Sequence, residues 1–310
     1  MKSKYYYFLY FFSLLVVFSC ENQKKKIELP NPFFKISLAQ WSLNKMVKNG
    51  ANPLDFPKEA KDLGFNAVEL VSALYSKKIK EIGFDNTIDS IGINLSKNQV
   101  KCLLIMIDEE GDLAHPDEKV RDNAVERHKK WVDAAAKLGC HSIRVNTNGT
   151  AIEDLWLTAA EDGLGKLSKY AATKNINVLV ENHGGFSSDP EKLMHVINTL
   201  NMTNCGTLPD FGNWCIKWDK KTKKCVVEYK DYYKGIEIMM PAAKAVSAKS
   251  YNFDKNGNET KIDYVKMLQI VKDSGYNGYI GIEYEGEEIG EKEGVIATRN
   301  LLLNAAKRLN

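Results

Sequence analysis

Residues 177–185 read NVLVENHGG. An apolar, β-favouring run ends abruptly on a carboxylate, an amide and an imidazole, and two glycines then permit a turn. A strand whose body suits a core and whose end carries Glu181, Asn182 and His183 delivers polar side chains to a site, as parallel strands of α/β proteins do.

Seven other segments share that character: 34–41, 66–70, 100–107, 141–146, 205–210, 244–251 and 278–285. Their nearly continuous apolar runs suit parallel strands covered on both faces. Helical patterns separate them, several stopping at a glycine such as Gly64 or Gly139. The weakest helical pattern, TIDSIGINLSKN, precedes the third strand and carries Gly92 and β-branched residues. Eight strands alternating with helices across 34–310 predict an α/β fold of the closed (β/α)8 TIM barrel type, as a single domain. A doubly wound open sheet is the other arrangement with this order, but no G-x-G-x-x-G follows an early strand.

The chain begins MKSKYYYFLYFFSLLVVFSC. A lysine-bearing start and an apolar run from Tyr5 to Phe18 fit a signal-peptide core and are short for a membrane span. Ser19-Cys20 resembles a bacterial lipoprotein processing box. It predicts a signal peptide over 1–19, lipidation at Cys20 and a polar tether over 20–33. An uncleaved N-terminal anchor is the alternative, and both place the domain outside the cytoplasm at a membrane surface. Five further cysteines, at 102, 140, 205, 215 and 225, form no C-x-x-C pair. They are expected to be buried free thiols. The net charge of +3 falls to about +1 (3 − 2) once Lys2 and Lys4 are removed. That leaves no electrostatic reason to expect nucleic acid.

In a barrel the strand ends converge on one mouth. Glu69 closes the second strand, Asp108 and Glu109 follow the third, and Asn146 closes the fourth. Asp210 closes the sixth, Lys249 lies on the seventh, and Glu283 and Glu285 close the eighth. Carboxylates gathered this way repel unless a cation or shared proton offsets them. Glu181, Asp210 and Glu283 would make a hard oxygen site for Mn²⁺ or Mg²⁺. A free pair of glutamates would instead divide acid and base roles across a sugar ring.

NVLVENHGG, GTLPDFGNW and GYIGIEYEG, with ISLAQWSL near the start and SIRVN in the middle, resemble the xylose isomerase-like TIM barrels. Within them the sequence looks most like the sugar phosphate isomerase/epimerase group, over about residues 34–308. The resemblance implies a divalent metal (Mn, Mg or Zn) held by two glutamates, an aspartate and a histidine. Glu181 matches the first glutamate, Asp210 the aspartate and Glu283 the second glutamate. In ketose epimerases of this kind the two glutamates also exchange protons with the substrate from opposite faces, and His183 matches a position that meets substrate. The histidine ligand does not carry over. Where members read H-x-K-D on the seventh strand, this chain reads AVSAKSYNFD, with Ser247 or Lys249 at that position. The metal would then be held by three carboxylates with His183 or water. Alternatively, Lys249 would replace it, polarising a carbonyl or acting at a lowered pKa.

Each of these residues also has a plain structural reading. Glu181, Asp210 and Glu283 could be ion-paired barrel residues, and Lys249 their partner. Glu69, Asn146 and Gln40 are expected to line the mouth. Trp214 is the candidate for stacking on a sugar ring, with Trp41 and Trp218 as covers of the barrel top. His128, His195 and His141 read as structural, and His115 as a loop residue. The acidic run EYEGEEIGEKEG (283–294) lies where barrels often bind phosphate and would repel it, so a non-phosphorylated sugar is expected. The leading expectation is an exported carbohydrate isomerase or epimerase using Glu181, Glu283 and Lys249, with His183, Asn146, Glu69 and Trp214 on the substrate. The alternatives are a lyase or hydratase on 3-keto-sugars, and a non-catalytic sugar-binding lipoprotein. A DNA-repair endonuclease would need a histidine-rich multi-zinc site that five scattered histidines do not provide.

Overall fold

Eight short apolar runs become parallel strands because each is flanked by helices that cover its outer face. The computed structural model describes residues 32–309. In chain order the barrel strands are β1 (Lys35–Ala39), β2 (Ala67–Val71), β3 (Lys101–Ile107), β4 (Ser142–Val145), β5 (Asn177–Glu181) and β6 (Cys205–Leu208). A two-stranded hairpin follows, β7 (Cys215–Trp218) with β8 (Cys225–Glu228), before β9 (Val246–Ser250) and β10 (Tyr279–Tyr284) complete the barrel. Neighbours run β6-β5-β4-β3-β2-β1-β10-β9. Parallel bridges Thr207↔Ala243 and Asp210↔Ser247 close the ring between β6 and β9. The fold is a (β/α)8 TIM barrel.

Alternation along each strand sorts the side chains. Leu38, Val68, Leu70, Ile143, Val178, Val180, Val246 and Ile280 face outward into one continuous core beneath the helices. Ala39, Val71, Leu104, Met106, Leu179 and Leu208 fill a separate cluster inside the barrel. The register of β2 on β3 shifts between Val68 and Glu69. That extra residue in β3 turns Cys102 outward yet Leu104 and Met106 inward, since a one-residue slip exchanges the faces of a strand.

Helices start on aspartate caps whose side chains accept backbone N–H bonds: Asp117 for Glu118–Lys137, Asp189 for Pro190–Leu200 and Asp263 for Tyr264–Asp273. Such caps satisfy donors that the first turn leaves free. Gly64 and Gly139 follow their helices at positive φ, as the sequence predicts. The TIDSIGINLSKN stretch is helical after all, within Phe84–Asn98. Burial of Ile88, Ile91 and Leu95 on one face outweighs the poor propensity of its glycine and β-branched residues.

The hairpin corrects two expectations. Its strands escape the apolar pattern because half the residues of each are exposed and the sequence is mixed. Cys215 and Cys225 are joined in a disulfide across it, rather than being free thiols. Antiparallel pairing brings the two chains within disulfide reach over ten residues of sequence, with Cα atoms 5.7 Å apart. Cys102, Cys140 and Cys205 are buried free thiols, as expected. No helix among the described residues is long and apolar enough to cross a membrane. The signal-peptide segment and Cys20 lie outside the described residues.

Candidate active site

The inward positions near the C-terminal strand ends are not apolar. Arg144 on β4, Glu181 on β5, Asp210 just past β6, Lys249 on β9 and Glu283 on β10 all point into the barrel and are buried. One carboxylate oxygen each from Glu181, Asp210 and Glu283 lies within 4.8 Å of the others. Two cations flank this triad. Lys249 Nζ lies 3.1 Å from Glu283 Oε1 and 3.3 Å from Glu285 Oε2. Arg144 Nε lies 2.9 Å from Glu181 Oε2, close enough to pair in charge but out of line for a hydrogen bond. Arg144 also donates through Nη1 to Asp108 Oδ1 at 2.9 Å.

Neutral donors hold the remaining oxygens. Ser247 Oγ donates to Glu283 Oε2 at 3.0 Å, and Asn213 Nδ2 to Glu181 Oε1 at 2.9 Å. The Gly212 N–H donates to Asp210 Oδ1 at 2.9 Å, while Oδ2 is buried without a partner. Asn182 clamps the backbone of Asp210 from both sides: its Nδ2 donates to the Asp210 carbonyl and its Oδ1 accepts from the Asp210 N–H. Gly212 and Asn213 also line a cavity of about 260 Å³ with His183, Trp218 and Tyr251. Asn213, bonded to Glu181, links the triad to this opening, which can admit a small molecule.

Charge in this enclosure is uneven. Burial pushes the Asp210 carboxyl well above the usual carboxylate range; Lys249 pulls it down, but Glu181 and Glu283 add repulsion. For Glu283 burial acts in the same upward direction. Lys249, then Arg144, outweigh it and hold this carboxyl below its ordinary value. Burial lowers Lys249, yet Glu283, Asp210, Glu285 and Glu181 together drive it well above the usual ammonium range. This direction is opposite to the lowered-pKa reading: the carboxylate neighbours hold Lys249 as a cation.

A family model described as xylose isomerase-like TIM barrel matches residues 57–305. The chain belongs to that family. A search of curated proteins finds no match. Among solved structures, the fold is similar to that of a D-tagatose 3-epimerase-like protein (17% identity, 89% of this chain and 98% of that chain, TM-score 0.68). It is also similar to 3-keto-D-glucoside 4-epimerase from E. coli (15% identity, 86% and 98%, TM-score 0.65). A third similar structure is a xylose isomerase-like TIM barrel protein from Mycobacterium smegmatis in complex with magnesium (14% identity, 89% and 97%, TM-score 0.63). At these identities the likeness is one of fold.

Within this xylose isomerase-like barrel the sequence-predicted residues divide into two groups. Glu181, Asp210, Glu283 and Lys249 come together, and His183 stands exposed at the cavity rim. Asn146 sits beside Arg144 with its amide committed: it donates to Asp108 Oδ1 and accepts from Arg144 Nη1. Glu69 does not line the mouth. It lies deeper in the barrel, 1% exposed, because β2 continues two residues beyond it. There Ser37 Oγ donates to one carboxylate oxygen at 2.6 Å and the other has no partner. Burial raises its pKa to about 7. Gln40 is likewise sealed in, donating to Tyr75 and accepting from the Val71 N–H.

Trp214 is not open to a sugar either. Its ring stacks on Tyr232 with centroids 5.6 Å apart, and its Nε1 donates to the Phe211 carbonyl. Trp214 and Trp218 both border the cavity, but Trp214 is 2% exposed whereas Trp218, on the hairpin, is 54% exposed. Glu285 pairs with Lys249 and accepts from the Trp41 indole. Arg144 is the residue that sequence reasoning missed. Its one signal is an arginine at an inward position of the otherwise apolar run SIRVN, a position where an unpaired charge would not be buried.

The donor set fits a hard divalent ion. Three carboxylates crowd together, Lys249 and Arg144 pair with Glu283 and Glu181, and Asp210 Oδ2 is left without a hydrogen-bond partner. Ser247 occupies the strand position next to Asp210 and Glu283 where a histidine would supply nitrogen. With oxygen donors alone, manganese and magnesium suit these residues better than zinc.

Proposed function

We propose that the protein is an epimerase or isomerase of a non-phosphorylated sugar, moving a proton at the carbon beside a carbonyl. The observation that carries this reading is the pair of buried glutamates, Glu181 and Glu283, meeting inside the barrel with a separate cation beside each. Glu283, kept ionised by Lys249 and Arg144, accepts the proton from carbon. The electron pair passes into the carbonyl, giving an enediolate, and a proton returns from the Glu181 side. Return to the opposite face of the same carbon inverts it; return to the neighbouring carbon isomerises the sugar. Arg144 and Asn213 fix the Glu181 carboxylate, and Asn182 fixes Asp210, so the reacting groups are preorganised. A divalent ion on Glu181, Asp210 and Glu283 would supply positive charge toward the developing enediolate.

Two proteins of similar structure, a keto-glucoside epimerase and a tagatose epimerase-like protein, support a carbohydrate substrate. The acidic run after β10 argues against a phosphate on it. The signal-like N-terminus ending at Cys20, and the disulfide in the hairpin, support an exported, lipid-anchored protein in an oxidising compartment. A second reading, elimination from a 3-keto-glycoside, begins with the same proton abstraction. It is favoured by the serine at the histidine position and by the fixed Lys249 cation. Incubation with ketoses and with 3-keto-glycosides, with manganese supplied, tests the proposal. An epimer that Glu181→Gln no longer forms is expected. Release of aglycone would establish elimination instead, and no conversion of either substrate class would overturn both.

A further inference from the structure

Two thiols that no part of the proposed reaction uses lie against each other. Cys140 Sγ donates to Cys102 Sγ at 3.1 Å, and Cys102 Sγ donates to the Leu104 carbonyl at 3.6 Å. Strand register brings them together. β3 pairs with β4 in parallel with Leu104 beside Ser142, and the His141 N–H donates to the Leu103 carbonyl at 2.9 Å. Two residues earlier on each chain, the same register sets Cys102 beside Cys140.

Both backbones are fixed by other contacts. Gly139, at a φ of 73°, turns the chain out of the helix Glu118–Lys137, and the Cys140 N–H closes that helix end on the Ala135 carbonyl at 2.9 Å. Cys102 is held in β3. The two side chains enter the same apolar core, Cys102 5% and Cys140 7% exposed. Neighbouring strands lie about 4.8 Å apart, inside the range of about 4.4–6.8 Å that a disulfide spans between Cα atoms. The sulfurs need to approach by only about 1 Å to reach bonding distance. Cys205 is the contrast: it is buried as deeply, yet no second thiol bonds to it among the described residues.

We propose that Cys102 and Cys140 form a second disulfide when the chain folds in an oxidising compartment, tying β3 to the run into β4. That compartment is the one inferred from the N-terminus and the hairpin bond, so the occurrence of the tie in the cell rests on the export reading. One cysteine attacks the disulfide of an oxidant such as oxidised glutathione, and the other displaces it. The oxidant takes two electrons and two protons and leaves as two thiols. Burial and the neighbouring Cys140 hold the Cys102 thiol well above its ordinary value, so the pair is inert once enclosed and the bond closes during folding. The cysteines are 38 residues apart in sequence. The closed loop contains the whole helix Glu118–Lys137 and Asp108, the partner of Arg144. The same enclosure then shields the bond, whereas Cys225 of the hairpin is only partly buried.

The full chain, reduced in denaturant, refolded in oxidised glutathione and then alkylated in denaturant, tests this by mass spectrometry of its peptides. The expected result is a peptide pair joined through Cys102 and Cys140, beside the pair joined through Cys215 and Cys225, with the alkyl label on Cys205. Alkyl label on both Cys102 and Cys140 in protein that has closed Cys215–Cys225 would overturn the proposal, as would either thiol joined to Cys205. Brief treatment of the folded protein with dithiothreitol should open the hairpin bond at least about tenfold faster than the buried one. Equal rates would overturn the shielded tie. Because the chain is refolded in vitro, none of these outcomes depends on where it resides in the cell, and the export reading stands or falls separately.

Discussion

Lys249 is enclosed by the barrel, yet its charge is retained because Glu283 and Glu285 stand within 3.3 Å of it. Removing one member of a buried pair leaves the other without compensation, which costs about 3–5 kcal/mol. Lys249→Met is therefore expected to destabilise the fold by that amount, measured by chemical denaturation at neutral pH. A cost near zero would show that Glu283 takes up a proton freely and that Lys249 does not hold it ionised. Glu69 gives an opposite sign. Its pKa is raised from 4.5 to about 7, so its contribution to stability is complete below 4.5 and is lost as pH rises through 7. Glu69→Gln keeps the shape without the charge. The variant should match the native protein near pH 4 and exceed its stability by about 3 kcal/mol at pH 8. Parallel stability profiles for the two proteins would refute this.

At the scale of elements, the hairpin is the feature that distinguishes this mouth. The segment leading into it supplies Asn213 to Glu181, and the hairpin itself supplies Trp218 to one cavity and Ile216 and Val227 to a second. Asp219 accepts from the Lys221 and Thr222 N–H groups to form its turn, and the Cys215–Cys225 disulfide ties the two strands diagonally. Closing a loop of this size contributes about 2–3 kcal/mol. Reduction should raise hydrogen exchange across residues 211–230 while the barrel strands stay protected, because the hairpin is exposed and the barrel core does not depend on it. Uniform protection in both redox states would show that the strands hold without the bond. The barrel strands were legible because both their faces are covered, which writes continuous apolar runs. The hairpin was not, because half the residues of each of its strands face solvent, and an odd number of cysteines gave no sign of a pair. Arg144 was hidden for a different reason. Its partners Asp108 and Glu181 lie 36 and 37 residues away, and only closure of the sheet brings them together.

For the whole molecule, the barrel converts period-two alternation into one site: the same inward parity that fills the interior with Leu104, Met106 and Leu179 brings Arg144, Glu181, Lys249 and Glu283 to the mouth. That much follows from strand order alone, whereas the depth of Glu69 and the closed face of Trp214 depend on packing that no local pattern carries. The proposed anchor is tested at the same scale. Cys20→Ala should abolish fatty-acid labelling in a bacterial host and release the barrel from the membrane fraction; continued labelling would disprove lipidation at that residue.

The most direct test of the central claim is deuterium incorporation from heavy water into a keto-sugar, at the carbon beside the carbonyl, with manganese present. The account predicts exchange by the native protein and a loss of at least about a hundredfold in both Glu181→Gln and Glu283→Gln, the usual scale for a lost general base. Exchange that persists undiminished in both variants would contradict it, because the proton would then be moving through groups other than the two glutamates.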